Sequence, residues 1–74
     1  MTTRRLTALI ERQGDGFVAL CAEVDVVSQG DTIEGARANL QEALELFFET
    51  ASEAEIAERL REEVHVTTLE VAVW

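Results

Sequence analysis

At Gly30-Asp31-Thr32 the hydrophobic pattern of this chain changes period. Before it, apolar residues come in short runs or at alternate positions. After it, they recur three and four residues apart. The first spacing suits pleated strands and the second suits a helix. A chain that holds both buries its apolar side chains by laying the helix on the sheet. With 74 residues there is room for one such unit, so residues 1–74 read as a single domain.

Upstream of the switch, Arg5 to Arg12 carries Leu6, Ala8 and Ile10 at alternate positions, the pattern of a strand with one buried face. Gln13-Gly14-Asp15-Gly16 is a turn rich in residues that tolerate positive φ. Phe17 to Ala22 is apolar throughout, which suits a central strand. Glu23-Val24-Asp25 is a short break, and Val26 to Gln29 is a third short strand. Links this short imply an antiparallel meander.

Downstream, Ile33, Ala36, Leu40, Ala43, Leu44, Phe47 and Ala51 form one helical stripe. Glu34, Arg37, Asn39, Gln41, Glu42, Glu45 and Glu49 face away from it. Asp31 or Thr32 supplies the N-cap, and Asp31 with Glu34 has capping-box spacing. Ser52 with Glu55 starts a second, shorter helix, whose apolar side is Ile56, Ala57 and Leu60. Val64 to Trp74 reads as a strand, with Leu69, Val71 and Val73 on one face and Val64, Val66, Thr68, Ala72 and Trp74 on the other.

The expected fold is α+β, with element order β-β-β-α-(α)-β. The helices cross over, so the last strand runs parallel to the first in a four-stranded mixed sheet of order 3-2-1-4. The long helix packs on one sheet face. The other face keeps enough apolar surface to call for a second subunit.

Composition narrows the function. A chain this short gains only about 3–5 kcal/mol from its own core. It has one cysteine, Cys21, so no internal disulfide can support it. One histidine and one cysteine cannot form a typical structural zinc site. Self-association, as a dimer or tetramer, is the expected support. The net charge is −9 with no lysine, which repels phosphate backbones and anionic membranes. Direct nucleic-acid binding is not expected, and a basic protein partner is. No apolar run approaches the roughly 18 residues needed to span a membrane. Without a signal-peptide pattern at the N-terminus, a cytoplasmic location is expected.

From Ala22 to Glu49 the chain reads AEVDVVSQGDTIEGARANLQEALELFFE, and this segment carries a family likeness. With the Gly16-Phe17 strand before it, it resembles the core of the HicB family of antitoxins. The matching residues are Gly16-Phe17, Glu23, Ser28-Gln29-Gly30-Asp31-Thr32, Glu34, Ala36, Asn39-Leu40, Glu42-Ala43 and Leu46. The likeness covers roughly Leu6 to Glu49, and the C-terminal strand fits the family layout. It implies a partial ribonuclease-H-like fold without that enzyme's acid cluster. It also implies oligomers that neutralise a small basic HicA-type toxin, a ribonuclease. Many members carry a further C-terminal DNA-binding segment, and no such pattern follows Glu49 here. Others stand as orphans without a toxin, so a self-associating scaffold is the alternative expectation.

Individual residues fit a binding module. Asp15, Glu23 and Asp25, in the links between strands, are the expected partner contacts, chosen as exposed acids. Phe48 at the edge of the helical stripe and Trp74 at the end of the last strand are the expected oligomer contacts. Phe47 belongs to the core stripe. Cys21 is expected to be a buried, inert thiol. His65 has no partner in the sequence. Glu11, Glu42, Glu45 and Glu70 lie on three different elements, and nothing in the pattern forces them together. No catalytic residue, metal ligand or cofactor site is expected, and the chain does not read as an enzyme.

Overall fold

Gly14 takes a left-handed backbone, φ 61°, that a side chain resists, and the first hairpin closes on it. In the computed structural model, which describes residues 3–74, strand β1 (Ala8–Gln13) turns through Gly14-Asp15 into strand β2 (Gly16–Cys21). A glycine with positive φ at the first of two turn residues is the pattern of a type II′ hairpin, whose twist matches the strands it joins. A second link, 22–25, leads to strand β3 (Val26–Gly30). There Asp25 is left-handed at φ 56°, and its N–H donates to the Cys21 carbonyl at 2.9 Å. The sheet is an antiparallel meander of order β1-β2-β3.

Register decides what each face carries. Ile10 lies opposite Ala19, and Ala19 opposite Ser28, while Ala8, Cys21 and Val26 form the next row on the same face. Helix α1 (Ile33–Thr50) covers that face, with Ala19, Cys21, Ala36, Leu40 and the turn residue Val24 buried between them. Small side chains at Ala19 and Ala36 let helix and sheet approach closely. The switch to the helix is tighter still at Gly30. A Cβ placed there would lie 2.5 Å from the Ala36 backbone nitrogen, so the first turn of α1 rests directly on this glycine. Thr32 caps α1, its hydroxyl accepting from the Gly35 N–H at 2.9 Å. Ser52 caps helix α2 (Glu53–Arg59) in the same way, accepting from the Glu55 N–H at 3.1 Å.

The opposite sheet face is open. Leu9, Leu20 and Val27 form one row across it, and Leu9 and Val27 remain 41% and 58% exposed.

Two expectations need correction. The first strand begins at Ala8, later than Arg5, although its pairing extends by one bond from the Ala22 N–H to the Thr7 carbonyl, 3.1 Å. More importantly, the sheet has three strands and is wholly antiparallel, so the four-stranded mixed sheet of order 3-2-1-4 does not form. Residues 64–74 form no helix or strand and, apart from half-buried Val64, are exposed, with no strand partner among the described residues. An alternating pattern gives a segment two faces but does not name the edge that receives it. Once past α2, the chain runs away from the sheet. Its radius of gyration is 14.2 Å, against about 11 Å for a compact chain of this length.

Candidate partner-binding surface

The acids expected to meet a partner do not share one surface. Asp15 sits exposed in the β1–β2 turn. Glu23 and Asp25 belong to the β2–β3 link, at the other end of the meander.

Glu23 is also buried, with 7% of its surface exposed, which corrects the expectation that it faces solvent. Its carboxylate accepts from the Thr7 N–H at 2.8 Å and from the Thr7 hydroxyl at 2.8 Å. The Cys21 thiol donates to it at 3.5 Å. Burial alone would raise the carboxyl pKa. The donors from Thr7, its own backbone N–H and Cys21 outweigh burial and hold it below the ordinary glutamate value. Glu23 is therefore a buried anchor for the start of β1. A hydrophilic link residue gives no signal of this in the sequence, because its partner Thr7 is 16 residues away.

Asp25 is exposed and joins the same assembly. Arg61 pairs with it at 2.8 Å, donates its backbone N–H to the Glu23 carbonyl at 2.8 Å, and reaches the Ala22 carbonyl at 3.2 Å. Arg59 donates to the Val24 carbonyl at 2.7 Å, and its guanidinium stacks 4.8 Å from the centre of the Phe47 ring. The end of α2 is thus bound to the β2–β3 link by two arginines absent from the expected set of contacts. A signal for them exists: this chain has six arginines and no lysine, and two of them stand at the end of a short helix.

Half of the exposed acids lie on the helices. Between Ile33 and Glu58 there are seven glutamates and one arginine. Glu34, Glu42, Glu45, Glu49, Glu53, Glu55 and Glu58 are all exposed. Glu42, Glu45 and Glu49 follow at three- and four-residue steps, so they share one side of α1. This face is legible in the sequence as the polar side of the helix, although the expected partner contacts lay in the links between strands.

The remaining residues fall into place by burial. Phe47 packs against the core, with Phe48 edge-on to it at 5.1 Å. Phe48 also lies against the core and is half-buried, so it is only partly available to another chain. Trp74 is fully exposed. Cys21 is fully buried, and burial pushes its thiol pKa up, further from the reactive thiolate. Comparable chemistry elsewhere is sparse. Glu11 lies on the open face of β1, Glu42 and Glu45 on the outer side of α1 beyond the sheet, and Glu70 in the projecting segment. Among the described residues no three of His, Cys, Asp or Glu gather as metal ligands. No helix among them is long and apolar enough to cross a membrane. A shallow open groove at the β1–β2 turn end is lined by Gln13, Gln29, Asp31 and Asn39, with a single acid in it.

Comparison with known protein families, curated proteins and solved structures gives no match. The functional reading rests on the residues and their arrangement.

Proposed function

We propose that this chain is a HicB-like antitoxin that binds and neutralises a small basic HicA-type ribonuclease. The observation that supports this reading is the segment from Phe17 to Glu49. Its Ser28-Gln29-Gly30-Asp31-Thr32 turn resembles the family motif, and Gly30 lies so close to the Ala36 nitrogen that only glycine fits. The seven exposed glutamates of α1 and α2 supply a surface suited to a cationic enzyme. Neutralisation is stoichiometric in this reading: the acidic face covers the toxin and denies RNA access, without chemistry of its own. Asp15 contributes from the hairpin turn. The setting is the cytoplasm, where toxin and RNA meet, and the chain works without contacting DNA.

A second reading is an orphan domain that only self-associates. The open row of Leu9, Leu20 and Val27, with the exposed apolar residues of 64–74, favours it.

The deciding experiment is titration of the purified chain with the small basic protein encoded beside it, at low and high salt. Association that weakens as salt screens the charges supports the antitoxin, and Glu45→Lys with Glu49→Lys should weaken it further. No association at low salt would leave the self-associating domain as the better reading.

A further inference from the structure

Residues 64–74 form an arm with a strand-like sequence pattern that is paired with no strand among the described residues. Val66, Leu69, Val71 and Val73 are 64%, 78%, 71% and 66% exposed, and Trp74 is exposed entirely. Five large apolar side chains in nine residues outside any helix or strand are a heavy load to leave in water. The arm leaves the domain at a fixed place, because Arg61 is tied to Ala22, Glu23 and Asp25 at one end of the sheet. The molecule as a whole extends 47 Å along its longest axis against 18 Å along its shortest.

The sheet offers a matching vacancy. β1 is an edge strand, with β2 on one side and no strand on the other among the described residues. At the other edge, β3, one carbonyl is already taken, since the Asn39 side chain donates to Gln29 at 2.7 Å. Charge also selects β1. The stretch 3–13 holds Arg4, Arg5 and Arg12 against Glu11, whereas 62–74 holds Glu62, Glu63 and Glu70 with no arginine or lysine. Within β1 itself Arg12 and Glu11 balance, and the excess positive charge is Arg4 and Arg5 just before the strand.

We propose that residues 64–74 of one copy pair as a strand with the free edge of β1 in a second copy of this chain. Reciprocal exchange closes a two-fold dimer, with each arm covering one exposed edge of the other copy. At roughly 3.3 Å per residue the arm spans about 36 Å, longer than the six-residue strand it meets. The surplus extends over the rows flanking Leu9. This assembly is independent of the antitoxin reading and holds equally for the orphan domain.

Sedimentation of the full chain from about 1 to about 300 μM tests it first, with a two-chain mass expected. A one-chain mass throughout would overturn it. The double variant Glu70→Pro, Val71→Pro then removes two adjacent N–H groups, one of which must face the partner in either register. Dimer affinity should fall at least about tenfold while the thermal transition of the helix-and-sheet unit persists, because the arm makes none of its core. Unchanged affinity would overturn the proposal. A mixture of isotope-labelled and unlabelled wild-type chain, needing no variant, identifies the contact itself. Nuclear Overhauser effects from arm residues to β1 must run between chains. Effects confined to one chain, or a dimer whose arm contacts no β1 residue, would refute it.

Discussion

The Glu23 carboxylate receives both polar hydrogens that Thr7 can offer, the backbone N–H and the hydroxyl, each at 2.8 Å. This pair closes the start of the sheet, because Thr7 immediately precedes β1 and Glu23 lies just beyond the end of β2.

Replacing Glu23 by Gln should destabilise the fold by about 1–3 kcal/mol, since the charged acceptor is lost and one amide N–H is pressed against the Thr7 donors. Urea unfolding followed by circular dichroism at neutral pH measures it. A loss below about 0.5 kcal/mol would show that the pair contributes little.

The same carboxylate gives a pH dependence. Its folded pKa lies below the ordinary value of 4.5. Its stabilising effect is therefore complete above that value and disappears as pH falls through the lower, folded pKa. The stability gap between wild type and Glu23→Gln should be constant from about pH 7 to about pH 5 and shrink below about pH 4. A gap that widens on acidification would reverse the assigned sign.

Arg59 and Glu55 separate a tether from a decoration. Arg59→Ala removes the 2.7 Å bond to the Val24 carbonyl and the contact with the Phe47 ring, and should cost about 1–2 kcal/mol. Glu55→Ala removes only an exposed pair with Arg59 at 3.8 Å and should change stability by less than about 0.5 kcal/mol. Equal losses in denaturant unfolding would mean that the ion pair, rather than the turn contact, holds α2.

Gly30→Ala should be among the most damaging single changes. The added carbon meets backbone at 2.5 Å, which side-chain rotation cannot relieve, so a loss of about 3 kcal/mol or more follows. Gly14→Ala has open space and only a left-handed backbone to contend with, and should cost about 1–2 kcal/mol. Thermal unfolding of the two variants checks the order.

Much of the framework was legible in residue order. Gly14 with Asp15 marked the hairpin, Asp31 or Thr32 and then Ser52 marked the two helix starts, with Thr32 the one that caps α1, and the stripe through Ala36 and Leu40 marked the buried side of α1. Each is a local signal, carried within about one turn of chain. Glu23 was misread for the opposite reason. A carboxylate in a polar link looks exposed until a donor from elsewhere in the chain comes to cover it.

Residues 64–74 mark the same boundary from the other side. Alternation of Leu69, Val71 and Val73 reads as a strand, but no strand forms there and these residues stay exposed. Whether it joins its own sheet depends on where Arg59 and Arg61 hold the end of α2 and on which edge is free, and both are products of the assembled fold. Periodicity and caps act between neighbours in the chain, so order alone fixes them. Burial of Glu23, the open row at Leu9 and Val27, and the direction of the arm arise from contacts between distant residues, so they exist only once the chain has packed.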